Sequence, residues 1–146
     1  MARLHGQCFA RCWSREDFTR FIADANCSSA LIRGNEPGQL SAMAVARQVD
    51  HEAELLTLAV SPNHRRCGLA VQVMNMLLAK LGENGVQMLF LEVSEHNGAA
   101  IALYRKLGAT VCGQRHGYYA GSDGAPAAAA LTMSLQLEPW LECRTC

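Results

Sequence analysis

Glu54-Leu55-Leu56-Thr57-Leu58-Ala59-Val60, then Ser61-Pro62-Asn63-His64, then Arg65-Arg66-Cys67-Gly68-Leu69-Ala70, opens a stretch that runs on to Leu81. Its first part is nearly continuous in apolar residues, the pattern of a central strand buried on both faces. Pro62 ends that strand. After the glycine-containing turn, Leu69, Val73, Met76, Leu77 and Lys80 recur at spacings of three and four, and Val71, Met74, Leu78 and Leu81 widen the apolar stripe. The spacing predicts a core-packed helix closed by Gly82 or Gly85. The first four N–H groups of any helix lack internal partners and carry the positive end of its dipole, so this turn is a candidate anion site.

Downstream, Gln87 to Ser94 reads as a second buried strand, with Leu89, Leu91 and Val93 on one face and Met88, Phe90 and Glu92 on the other. A carboxylate thus ends an apolar row. Asn97 caps a short helix in which Ala100, Leu103, Tyr104 and Leu107 share a face, and Gly108 stands where a left-handed C-cap is expected. Two strands joined through a helix predict a parallel pair with a crossover, hence an α/β fold. Ala109 to Arg115 is a further strand, followed by a turn-rich loop through Gly117, Gly121, Ser122, Asp123, Gly124 and Pro126. Leu131, Met133, Leu135 and Leu137 alternate with Thr132, Ser134 and Gln136 in the last strand, which Pro139 ends.

Upstream, Ser14 is the N-cap of a helix with Asp17 as its capping-box partner, and Phe18, Phe21 and Ile22 fall on one face until the helix ends near Asn26. Ser28 to Arg33 and Gln39 to Val49 form a hairpin about Gly34-Asn35-Glu36-Pro37-Gly38. No internal repeat is present.

The chain has 146 residues, half of them hydrophobic, which suits one domain over residues 1–138 and a short tail over 139–146. Thirteen basic and thirteen acidic side chains cancel, so no global field favours nucleic acid or an anionic membrane, and any anion must be bound locally. The apolar runs fall short of the roughly 18–20 residues that span a bilayer, and no signal peptide is legible, so a soluble, cytoplasmic protein is expected. Seven cysteines lack the spacing of a disulfide framework and read as reduced thiols. Cys143 and Cys146 form Cys-x-x-Cys, but the chain stops where a redox motif would open its helix, and zinc would need two further ligands. No metal is expected.

The turn at Arg65 to Ala70 has two readings from its residues: a tight strand-to-helix connection with solvated arginines, or an anion cradle. It is no Walker A loop, because no Gly-Lys-Ser/Thr follows. It lacks the three glycines of the dinucleotide fingerprint. A diphosphate held mainly by backbone N–H groups remains, and coenzyme A carries one.

The pattern Arg-x-x-Gly-x-Ala after a strand ending Leu58-Ala59-Val60 resembles the acetyl-CoA motif of the GNAT acetyltransferases. Trp13-Ser14, Leu91-Glu92-Val93, Asn97, Ala100 to Tyr104, Leu107-Gly108 and Gly117-Tyr118-Tyr119 extend the likeness to their bacterial ribosomal-protein-alanine branch, the RimI type, over roughly Leu4 to Leu137. The resemblance implies a mixed sheet whose two parallel central strands splay apart. The pantetheine of acetyl-CoA would lie along Leu58, Ala59 and Val60, its pyrophosphate would meet Arg65, Arg66, Cys67, Gly68, Leu69 and Ala70, and Asn97 and Tyr104 would stand beside it. It also implies a reaction: acetyl transfer to a protein's N-terminal α-amine, that of a small-subunit ribosomal protein beginning with alanine.

An α-amine with pKa about 7.7–8.0 must lose a proton before it attacks a thioester. Glu92, expected to be desolvated at the end of its apolar row, matches the family's general base. Tyr104, on the buried face of its helix, matches the general acid that protonates the departing thiolate. Trp13, Tyr118 and Tyr119 resemble the wall of the acceptor groove, and His64 and His96 read as bystanders. Alternatives within reach are a GNAT enzyme for lysine or small amines and a catalytically silent CoA-binding module. The chain departs from the family at four points: its first strand is missing or shortened, Cys12 replaces a proline, Ala70 replaces a glycine and Ala109 replaces an aromatic.

Overall fold

A computed structural model describes residues 1–119 and 128–137, the side chains of 116–119 and 128 excepted. The expected loop from Gly121 to Pro126, the tail and Cys143 and Cys146 lie outside the described residues. Helices α1 (Ala2–Cys8), α2 (Arg15–Ala23), α3 (Leu69–Glu83) and α4 (Gly98–Lys106) surround strands β1 (Cys27–Arg33), β2 (Leu40–Val49), β3 (Glu52–Val60), β4 (Met88–Ser94), β5 (Thr110–Tyr119) and β6 (Ala128–Gln136). The six strands form one mixed sheet in the order β1-β2-β3-β4-β6-β5. The described chain opens on α1, and no strand precedes it among the described residues.

Local signals account for most boundaries. Ser14 accepts from the Asp17 N–H at 3.1 Å while the Asp17 carboxylate accepts from the Ser14 N–H at 2.8 Å, so both halves of the capping box form. That helix ends at Ala23, three residues before Asn26, and leaves Ile22 68% exposed, so the apolar face consists of Phe18 and Phe21 without Ile22. Gly85 (φ 81°) and Gly108 (φ 98°) take the left-handed conformation just after α3 and α4. Gly117 lies within β5 and so is not part of the loop.

The core has two sides. Ala42, Ala44 and Ala46 of β2, Ala53 and Leu55 of β3, and Leu89, Leu91 and Val93 of β4 pack against Val73, Met74, Leu77, Leu78 and Leu81 of α3. The apolar stripe on α3 is narrower than its spacing predicts, and Met76 remains 45% exposed. On the other face Leu4 of α1 and Phe18 of α2 cover Met43, Val45 and Ala59. β3 is central in the sheet and covered on both faces, Ala53 and Leu55 packing towards α3 and Ala59 with Leu56 on the opposite side, while Glu52 and Glu54 at its start remain exposed.

The parallel pair is short. Strands β3 and β4 join only at Glu52/Met88, Ala53/Leu89 and Glu54/Phe90. Beyond those residues they diverge, each still held by its antiparallel neighbour: β2 follows β3 as far as Val60, and β6 follows β4 as far as Ser94. Leu56 is the extra residue of a bulge, since Val45 pairs with Thr57 and Ala46 with Leu55. The result is a V-shaped gap at the C-terminal ends of two parallel strands, where ligands bind in α/β sheets.

Candidate acetyl-transfer site

At the far end of the gap stands the N-terminus of α3. Its N-cap is Gly68 with φ 77°, no side chain caps it, and its first turn holds no acid. Glycine is favoured there because a left-handed residue precedes the helix. Arg66 adopts φ 61° as well. Among the described residues no backbone carbonyl accepts from the N–H groups from Gly68 to Val71. A Cβ built on Gly68 would meet nothing within 4 Å, so the space before the helix is open.

That space is a cleft of about 570 Å³ lined by Leu58, Ala59 and Val60 from β3, Arg65, Arg66, Gly68, Leu69 and Ala70 from the turn, and Asn97. Nine of the eleven expected cofactor residues are thus brought together, Tyr104 standing in the adjoining chamber instead. The Cys67 side chain is not part of the lining; its thiol donates to the Arg65 carbonyl at 3.4 Å. Two residues unmarked in the sequence also line the cleft, Cys8, whose thiol donates to the Val60 carbonyl at 3.3 Å, and Phe9, and so does His64, which the sequence reading set aside as a bystander. Only the folding back of α1 brings the first two there, and no local pattern announces it.

A chamber of about 450 Å³ adjoins the cleft and shares Phe9, Leu58, Asn97 and Ala100 with it. Glu92 reaches it from β4, Tyr104 from α4 and Trp13 from the turn before α2. Tyr104 is 7% exposed. Asn97 accepts from the Ala100 N–H at 3.2 Å, so it caps α4 and borders both spaces at once. Glu92 also borders an open groove of about 330 Å³ with Arg47, Glu52, Glu54, Phe90 and Thr132.

The Glu92 carboxylate is only partly desolvated. Its side chain keeps 28% exposure and accepts from Arg115 of β5 at 3.1 Å, the arginine reaching across β6, which lies between β4 and β5. Trp13 stacks on His5 at 4.8 Å, and its backbone N–H donates to His5 Nδ1 at 3.1 Å. Burial holds the His5 imidazole below its ordinary pKa. The side chains of Tyr118 and Tyr119, expected in the acceptor groove, lie outside the described residues.

Comparison with known proteins decides the family. Residues 1–109 match the Acetyltransferase (GNAT) family. The chain belongs to that family. It is 36% identical over 125 residues to the [ribosomal protein bS18]-alanine N-acetyltransferase of Escherichia coli strain K12, covering 86% of this chain and 82% of that one. The crystal structure of the ribosomal-protein-S18-alanine N-acetyltransferase from Escherichia coli superposes with a TM-score of 0.82 at 31% identity, over 93% of this chain and 84% of the other. Ard1 from Thermoplasma volcanium shares the fold, with a TM-score of 0.76 at 22% identity over 93% and 88% of the two chains. This GNAT protein is an acetyl-CoA-dependent N-acetyltransferase.

Proposed function

We propose that the protein acetylates the α-amine of a protein N-terminus, with the N-terminal alanine of ribosomal protein bS18 as acceptor. The observation that carries this reading is the meeting of Glu92 and Tyr104 in one chamber beside the cleft at the start of α3. The names of the Escherichia coli relatives point to the same acceptor.

The cleft suits acetyl-CoA on its own geometry: unpartnered N–H groups at a helix start, two arginines beside them, and an open strand edge leading inward. Acetyl-CoA supplies a thioester carbonyl. In this reading the N–H groups from Arg66 to Ala70 hold the diphosphate, and Leu58, Ala59 and Val60 hold the pantetheine along the edge β4 has left. Glu92 takes a proton from the acceptor's ammonium group, the freed amine forms the C–N bond, and Tyr104 gives its hydroxyl proton to the sulfur as the C–S bond breaks. The surplus proton on nitrogen then restores the tyrosine. Arg115 orients the Glu92 carboxylate, and Trp13, with Tyr118 and Tyr119, borders the entering chain. Residues 1–138 act as one domain, with 139–146 as a tail.

Mass spectrometry of peptides incubated with protein and acetyl-CoA tests the reading. A peptide starting with the N-terminal residues of bS18, alanine first, is expected to gain one acetyl group at its free α-amine. Acetylation of an N-terminally blocked peptide at lysine would overturn the assignment, and absence of CoA release with any amine would leave a binding module.

A further inference from the structure

Thr57 is 6% exposed, and its hydroxyl oxygen is buried without a hydrogen-bond partner among the described residues. Such orphans are few in native structures because a desolvated hydroxyl without a partner costs free energy. Two other side-chain atoms share this condition, His64 Nδ1 and Asn75 Oδ1. Only Thr57 lines the chamber that holds Glu92 and Tyr104. Valine has nearly the same shape and needs no partner, so packing alone gives no reason for a hydroxyl here.

The bulge determines which way Thr57 faces. Before it, Ala53 and Leu55 pack towards α3; after it, Leu58 and Val60 do, while Leu56 and Ala59 pack on the opposite face. Thr57 therefore shares the face of Ala59. Glu92 lies on that same face of the sheet, because its neighbours Leu91 and Val93 pack towards α3 and α4. Carried two steps past the Glu54/Phe90 pair and corrected for the extra residue, the parallel register sets Thr57 level with Glu92 across the gap.

We propose that the Thr57 hydroxyl oxygen accepts a hydrogen bond from the acceptor's reacting amine and positions its nitrogen between Glu92 and the thioester. The proposal rests on the acetyl-transfer reading above. A primary amine rotates about its C–N bond, and Glu92 alone does not stop that rotation. A second acceptor on the same face does. The cofactor is the poorer candidate partner, since its path follows Leu58, Val60 and the α4 side, whereas Thr57 lies on the face from which Glu92 works.

The test compares Thr57→Val, Thr57→Ser and Thr57→Ala with the wild-type chain, using acetyl-CoA and the alanine-first peptide. Thr57→Val is expected to lower kcat/KM for the peptide by about 10- to 100-fold, to leave acetyl-CoA affinity within about twofold, and to melt no lower than wild type because it removes an orphan polar group. Thr57→Ser keeps the hydroxyl and is expected to stay within about threefold of wild type, by the same reasoning. Wild-type kcat/KM in Thr57→Val, or an equal loss in Thr57→Ser, overturns the proposal, as does a parallel loss of acetyl-CoA affinity. If Thr57→Val does not fold, Thr57→Ala carries the same readout. A wild-type protein that acetylates no peptide overturns the acetyl-transfer reading itself, an outcome distinct from an active wild type with an equally active Thr57→Val.

Discussion

At the scale of single residues, the proposed base and the proposed acid are picked out before any fold is known. Glu92 ends a row of alternating apolar residues, and Tyr104 sits on the apolar face of a helix; both patterns are local. Replacing Glu92 by Gln keeps the shape and removes the proton acceptor, so turnover near neutral pH is expected to fall by about 10²–10⁴-fold while acetyl-CoA affinity, measured by calorimetry, is unchanged. The surroundings of Glu92 were not legible, because Arg115 is 23 residues away and meets it only through the sheet. His5 was equally silent in the sequence. Its neutral ring accepts from the Trp13 N–H and stacks between Phe9 at 4.3 Å and Trp13 at 4.8 Å. Its folded pKa is lowered by burial, so the unfolded chain binds a proton more readily. Its stabilising contribution is complete above about pH 6.5 and is lost as pH falls towards the folded value. Denaturant melts taken between pH 7.5 and pH 5 are expected to show a decline in stability that His5→Phe reduces.

At the scale of elements, caps and breakers set the ends while packing sets the faces. The capping box at Ser14 and Asp17 and the cap at Asn97 formed as their spacing required, because each depends on atoms within three residues. Met76 and Ile22 were misplaced because a helical period states which residues share a stripe, not how wide the covering surface is. Gly68 links element to function. Its Cβ-free, left-handed backbone turns the chain into α3 with the N–H groups open to the cleft. Gly68→Ala introduces no clash but an unfavourable φ, so it is expected to cost about 1–2 kcal/mol of stability and to raise the KM for acetyl-CoA, as chemical denaturation and steady-state kinetics would show.

At the scale of the whole molecule, the cleft proposed to hold acetyl-CoA exists because β3 and β4 part company after three paired positions and other strands hold them open. A ligand that bridges the β3 edge and the start of α3 binds only the folded chain. Acetyl-CoA at about 100 times its dissociation constant is expected to stabilise the protein by ~2.7 kcal/mol, read as a rise in Tm. Added salt is expected to reduce that rise, since part of the attraction is between phosphates and the exposed Arg65 and Arg66.

The order of strands and helices from Ser14 onward, the parallel crossover and the open helix start at Gly68 follow from the sequence alone, because periodicity, caps and turn residues act over a few positions, whereas helix α1 carried no such signal. The tertiary structure alone decided that β6 inserts between β4 and β5, that α1 folds back to bring Cys8, Phe9 and His5 to the cleft and chamber, and that a bulge at Leu56 turns Thr57 towards the face of Glu92. Those contacts join residues tens of positions apart. They arise from how the layers pack, which no local pattern encodes.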